Sequence, residues 1–146
     1  MVYQINIEKE TLNNNYFRKV LNTTNTQQLV VMSIKPGENI PSEIHPKIDQ
    51  FIRVEKGNII AKINGIETNK LSDGDAIMIP ANTQHEIINP STTEHCKLYT
   101  IYSPPNHPPN RVDIEKPKED EHEDEKYEKK YLKYKNKYLL LKKSEQ

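Results

Sequence analysis

The chain lacks the features that would tie it to an oxidising compartment, a membrane or a charged polymer. Cys96 is its single cysteine, so an intrachain disulfide is excluded. The formal net charge is zero, so no whole-molecule field draws the protein to nucleic acid or acidic lipid. Residues 1–6 have neither the basic nor the apolar region of a signal peptide, and apolar runs such as 29–32 are too short to span a bilayer. These absences predict a cytoplasmic protein.

Charge divides the chain into unequal parts. Residues 1–111 carry 11 Lys and Arg and 11 Asp and Glu, whereas the much shorter stretch 112–146 carries 10 of each. A run of this charge density cannot bury a core, and 112–125 holds eight acids against two lysines. The composition predicts a domain over 1–111, an acidic linker over 112–125 and a separate segment over 126–146.

The final segment has the pattern of an amphipathic helix. Five apolar or aromatic residues follow one another at spacings of four, three, four and three, which is a heptad seam. They are Tyr127, Tyr131, Tyr134, Tyr138 and Leu141. Eight lysines over 126–143 invite a nucleic-acid interpretation, but the acidic linker can neutralise them and the seam favours packing on another helix. We therefore expect self-association or a partner helix through 126–143, with an exposed helix as the alternative.

Strand signals dominate residues 28–102. Short apolar runs alternate with turn residues, a pattern typical of a sandwich or barrel. The predicted strands cover 29–34, 51–54, 59–63, 66–68, 76–79, 85–89 and 97–102. Asn64-Gly65 between two of them predicts a type I′ hairpin, since that turn needs positive φ at both central positions. Residues 13–20 are ambiguous and are compatible with an edge strand.

Two stretches carry a divided set of metal-ligand residue types. The first, 37–57, contains Glu43, His45 and Gln50, and the second, 74–89, contains His85. Glu43 and His45 are two apart on a predicted strand and so share a face. Closing the sheet into a barrel would aim the four side chains at one interior point with apolar walls.

The spacing of glycines, proline and polar residues in these stretches resembles the two signature motifs of the cupin superfamily. The runs 46–57 and 97–105 further resemble small single-domain bacterial cupins, often labelled mannose-6-phosphate-isomerase-like and mostly without an assigned reaction. The resemblance covers residues 5–111 and implies a single jelly-roll β-barrel, commonly a homodimer. Three positions depart from the usual pattern: Glu43 replaces the first His, Gln50 replaces Glu and Asn82 replaces Gly. Asn is the next best residue after Gly at positive φ.

The resemblance implies one divalent metal ion held by Glu43, His45, Gln50 and His85. Two imidazoles and a carboxylate suit zinc, iron, nickel or manganese, and the amide of Gln50 is the weakest donor. The alternative is a metal-free polar cluster that orients an organic ligand. The function classes that follow are a metal-dependent isomerase or dioxygenase acting on a small molecule, and a non-catalytic binding module whose C-terminal helix contacts a partner.

Other reactive side chains receive structural interpretations. Arg53 is out of phase with its apolar neighbours and should point away from the lumen. Tyr99 and Tyr102 are assigned to packing, His107 to an exposed turn and Cys96 to an inert packed thiol. The Tyr/Lys/Leu segment at the C-terminus resembles tails on giant-virus proteins, which is compatible with a viral protein in a host cytoplasm.

Overall fold

The structure is a computed structural model that describes residues 1–118, so the predicted helix over 126–146 and the second half of the acidic linker, 119–125, lie outside the described residues. Within 1–118 the chain forms one helix and ten strands. They are α1 (Ile7–Asn13), β1 (Arg18–Thr23), β2 (Gln28–Ile34), β3 (Asn39–Glu43), β4 (Asp49–Lys56), β5 (Ile60–Ile63), β6 (Ile66–Glu67), β7 (Ala76–Ile79), β8 (His85–Ile88), β9 (Cys96–Ser103) and β10 (Val112–Asp113).

The strands form two antiparallel sheets. One has six strands in the order β10-β1-β2-β9-β4-β7, and the other has four in the order β3-β8-β5-β6. The sheets bury their inner faces against each other in one core, which is the expected jelly-roll barrel. The predicted all-β fold is confirmed.

Alternation along the strands sends apolar side chains into this core. Val30, Thr100 and Ile52 are register partners across β2, β9 and β4, and none of them is exposed to solvent. Ile40 and Ile87 pair across the opposite sheet and join the same cluster. Burying one such aliphatic side chain contributes about 1.5–3 kcal/mol, so the core supplies the rigid frame that a site inside the barrel needs.

Turn chemistry predicted from the sequence is present. Asn64 and Gly65 have φ values of 51° and 80°, as a type I′ turn requires, and they join β5 to β6. Asn82 has φ 63°, so Asn does take the left-handed conformation at the position where the motif usually has Gly. Pro80 directly follows β7 and ends it.

Two elements near the N-terminus were not predicted. The short helix α1 begins after Asn6, whose side chain accepts a hydrogen bond from the Lys9 amide, a standard N-cap. The ambiguous segment 13–20 contributes to β1, which lies inside the sheet because β10 covers its outer side. Arg18 and Asp113 lock these two strands with a 2.8 Å ion pair. The sheet therefore extends past residue 111, the predicted end of the domain.

The helix content bears on membrane insertion. Within residues 1–118, no helix has the length and apolar character needed to cross a bilayer.

The close contacts around Gly57 predict that alanine is more destabilising there than at Gly74. A β-carbon at Gly57 would lie 2.7 Å from the His95 carbonyl oxygen, whereas one at Gly74 would meet no described heavy atom within 4 Å. Both residues have positive φ, 84° and 86°. We expect Gly74→Ala to lower the free energy of unfolding by about 1–2 kcal/mol through backbone strain alone. Gly57→Ala should cost at least about 1 kcal/mol more, because the close contact forces the backbone apart. Urea denaturation measures both, and equal losses would contradict the packing at Gly57.

Candidate metal centre

Strand pairing brings two of the predicted ligands, Glu43 and His85, together. Glu43 is the last residue of β3 and His85 the first of β8, and they are direct register partners. His85 is buried together with Ile87 and Asn89, as its position on an inward face predicted. A shift of register between Ile40 and Glu43 adjusts β3 before it reaches the site.

His45 reaches the same point from a loop. The sequence placed it on a strand with Glu43, but β3 ends at Glu43 and His45 follows it just before Pro46. This correction has a local cause, since proline removes the amide that would continue the ladder and restricts the residue before it. The carbonyl of His45 instead accepts a hydrogen bond from the Asn82 amide at 2.7 Å. That bond ties the backbone at His45 to the loop that precedes β8.

The three side chains converge on one carboxylate oxygen. Glu43 Oε1 lies 3.0 Å from His45 Nε2 and 3.5 Å from His85 Nε2. The ligand atoms of the three residues all lie within 4.8 Å of one another. The two imidazole rings stand 5.3 Å apart at an interplanar angle of 50°. A cation placed among these atoms would meet all three donors at once.

The charge state of Glu43 suits a cation. Burial raises the pKa of this carboxyl and is the largest single influence, but the neighbouring His45 and His85 imidazoles together outweigh it. The pKa falls from its ordinary 4.5 to about 2. The carboxylate is therefore ionised at neutral pH. The side chain keeps 33% of its surface exposed, so it can be reached from outside.

A hydrogen bond sets the tautomer of His85. Its Nδ1 lies 2.9 Å from the carbonyl oxygen of Thr83, and a carbonyl only accepts, so Nδ1 carries the proton. In the neutral ring the lone pair is then on Nε2, the atom that faces Glu43. A backbone carbonyl bound to the far nitrogen is the usual support of a metal-ligating histidine.

Gln50, the fourth predicted ligand, lies on the inner face of β4. It pairs in register with Tyr102 of β9, whose ring packs edge-on against His45 at 6.0 Å. Its amide nitrogen donates to Thr100 Oγ1 at 3.1 Å, which leaves the amide oxygen as its available donor atom toward a cation. Gln50 is therefore held on the inner face of the sheet, beside Tyr102, whose ring contacts His45.

Three buried atoms of this site fit a bound cation. Within the described residues, His45 Nε2, His85 Nε2 and Gln50 Oε1 have no assigned hydrogen-bond partner, although both imidazole nitrogens face Glu43 Oε1. A buried polar atom left in this way costs about 1–3 kcal/mol. The amide oxygen of Gln50 and Nε2 of neutral His85 offer lone pairs to a divalent metal, as does His45 Nε2 when its ring is protonated at Nδ1, so the residues present fit a metal ion.

Other predictions about reactive residues have mixed outcomes. Arg53 lies on the outer face of β4, 3.4 Å from Glu55, as predicted. Cys96 is fully buried, and burial raises the pKa of its thiol to about 12, so it is the inert thiol expected. The expectation of an exposed His107 is wrong. Its ring packs edge-on against Tyr102 at 5.2 Å and is only partly exposed.

His107 is partly buried because Gln28, a residue distant in the chain, holds its loop by hydrogen bonds. The fully buried Gln28 accepts hydrogen bonds from the amides of Asn106 and His107 and donates one to the His107 carbonyl. These bonds hold the loop after β9 against the barrel. Gln28 is 79 positions away from His107 in the chain, so no local pattern signals the contact.

The chain is similar to known proteins over most of its length. The family model described as cupin domain matches residues 30–102. "Uncharacterized protein L612" of Acanthamoeba polyphaga mimivirus is 48% identical over 147 aligned positions, covering 98% of this chain and 92% of the relative. "Uncharacterized protein YrkC" of Bacillus subtilis is 42% identical over 111 positions, 73% of this chain and 59% of that protein.

A solved structure agrees with the sequence matches. The crystal structure of BH2720 from Bacillus halodurans aligns with a TM-score of 0.75 at 39% identity, and covers 79% of this chain and 90% of that one. Its similarity extends over both sequence and backbone. The two motifs, the two-sheet barrel and these matches lead to one conclusion: the chain belongs to the cupin family.

Proposed function

We propose that this cupin binds one divalent metal ion in the lumen of its barrel and uses it to hold a small polar organic ligand. Glu43, His45 and His85 would supply the strong donors, and the Gln50 amide oxygen a fourth, weaker one. The observation that carries the proposal is the convergence of two imidazole Nε2 atoms on one ionised carboxylate oxygen.

The surroundings support a ligand beside the metal. The fully buried Ile52 and Ile87 lie two residues from Gln50 and His85 on the same strand faces, and apolar surroundings of this kind would strengthen the electrostatic contacts at the centre. When bound, such a metal supplies Lewis-acid polarisation of a carbonyl or activation of water or dioxygen. The residues of the chain would hold the donors rigid, and the partial exposure of Glu43 would let a ligand reach the centre.

The identity of the metal separates the classes of function. Iron together with oxygen consumption would favour a dioxygenase, whereas zinc or manganese would favour an isomerase. A metal that binds without any reaction would favour a binding module, in which the barrel recognises the ligand and the segment 126–143 contacts a partner. The two-histidine, one-carboxylate donor set is compatible with each of these metals.

Elemental analysis tests the metal directly. Purified protein, supplied with zinc, iron, nickel and manganese salts and then desalted, should retain about one divalent ion per chain. Glu43→Ala and His45→Ala should each lose most of it, because each removes one of three strong donors. The matched controls are Glu67→Ala and His95→Ala, which alter an exposed glutamate and an exposed histidine. Wild-type protein that retains none of the four metals would refute the proposal.

Gln50 gives a graded test of the fourth ligand. Gln50→Leu should still bind metal but about tenfold more weakly, the usual scale for a supporting interaction at a metal site. Gln50→Glu should bind more tightly than wild type, because it adds a second carboxylate. Competition with a chelator measures both affinities, with the exposed Gln27→Leu as the control. An affinity unchanged by Gln50→Leu would exclude Gln50 from the ligand set.

A further inference from the structure

The outer face of the six-stranded sheet carries a row of apolar side chains that solvent can reach. Leu29, Ile101, Phe51 and Met78 are successive register partners across β2, β9, β4 and β7. Their neighbours along each strand face the core, so these four side chains point outward. Three of them are partly exposed, and Met78 is 77% exposed. An apolar row that crosses four strands on the surface marks a candidate interface.

The outer face has a raised half and an open half. A groove of about 340 Å³ opens along the row, and Pro80 and Ser103 line it together with three of the row residues. On the other half, α1 packs against β2, β4 and β9. Lys97 Nζ holds the C-terminal end of α1 there, because it donates to the Asn14 carbonyl. The helix therefore stands above the sheet beside the groove.

Strand β4 carries opposite charges on either side of the apolar row. Its outward residues include Asp49, Phe51 and Arg53, two positions apart along the strand. Asp49 is exposed, and its Oδ1 accepts a hydrogen bond from the Ala81 amide at 2.8 Å. Arg53 lies 3.4 Å from Glu55 but keeps 42% of its side chain exposed. Four residues of strand span about 13 Å, so Asp49 and Arg53 of one chain cannot pair with each other.

A two-fold axis that runs along the apolar row makes this face complementary to itself. Such an axis sets each residue of the row against its counterpart in a second copy and exchanges the two ends of β4. Asp49 of each copy then faces Arg53 of the other, which forms two intermolecular ion pairs. The same rotation places α1 of one copy at the open end of the groove of the other. A second copy thus matches both the apolar row and the charges beside it.

We infer that this outer face is the interface of a homodimer, in which two copies pack face to face across the row of Leu29, Ile101, Phe51 and Met78. Burial of the apolar row supplies most of the affinity. The two pairs of Asp49 with Arg53 set the orientation of the copies, since a reversed orientation would bring like charges together. The candidate metal centre lies on the inner side of the barrel and is not part of this interface.

Charge reversal in the full chain tests the two-fold arrangement. Asp49→Lys and Arg53→Glu should each raise the dimer dissociation constant at least about tenfold, because each creates two like-charge contacts in the symmetric dimer. An equimolar mixture of the two variants should recover an affinity within about threefold of wild type, since both contacts between the copies are then of opposite charge. Sedimentation equilibrium measures each dissociation constant. Both variants keep their local changes in the mixture, so recovery reports contact between copies alone.

Two exposed apolar residues on edge strands give a matched pair for the row itself. Met78 on β7 is 77% exposed, and Ile66 on β6 of the other sheet is 73% exposed. Met78→Glu should weaken the dimer at least about tenfold, because it places two carboxylates against each other in the interface. Ile66→Glu should leave the dimer unchanged. Glu67→Lys, also on β6, is the control for charge reversal.

Three results would overturn the interface. Wild-type chain that remains monomeric in the same measurement would exclude a homodimer. A dimer unchanged by Asp49→Lys, Arg53→Glu and Met78→Glu would assign self-association to another part of the chain, such as 126–143. Two variants that both dissociate and do not recover when mixed would exclude the two-fold pairing of Asp49 with Arg53.

Discussion

The antiparallel pairing of β3 with β8 fixes the candidate metal centre, because it sets Glu43 directly opposite His85. Register in a sheet is set by which side chains can be buried, and a slip of one residue would turn every side chain to the other face. Ile40 lies three residues before Glu43 and pairs with Ile87, two residues after His85; both belong to the core and so hold this register in place. The polar centre therefore depends on apolar packing for its geometry.

The candidate site buries polar atoms at a cost in stability, which a bound metal ion would offset. Two imidazole nitrogens and an amide oxygen lie inside the barrel without hydrogen-bond partners among the described residues. A protein optimised only for stability would replace such groups with apolar ones, as the surrounding lumen does. Gln28 is a contrasting case, because this fully buried amide is satisfied by four hydrogen bonds, three of which hold the loop after β9.

Much of this arrangement could be predicted from the sequence, because its causes are local. Alternation along β4 places Gln50 and Ile52 on its inner face. The backbone preference of Asn64-Gly65 alone specifies the turn between β5 and β6. The resemblance to the family motifs predicted Glu43, His45, Gln50 and His85 as a ligand set, and the structure brings Glu43, His45 and His85 together. What could not be predicted depends on contacts distant in the chain: the partial burial of His107 follows from Gln28, and the inner position of β1 follows from β10. The helix predicted over 126–146 stays a prediction.

Glu43, His45 and His85 are proposed to hold one metal ion, and anomalous X-ray diffraction locates such an ion relative to these side chains. Crystals of the metal-loaded protein, measured at the absorption edge of the bound metal, should show one strong anomalous peak in the barrel lumen. We predict that it lies about 2.0–2.2 Å from His45 Nε2, His85 Nε2 and a Glu43 carboxylate oxygen. A peak elsewhere on the protein, or a lumen without one, would contradict the account.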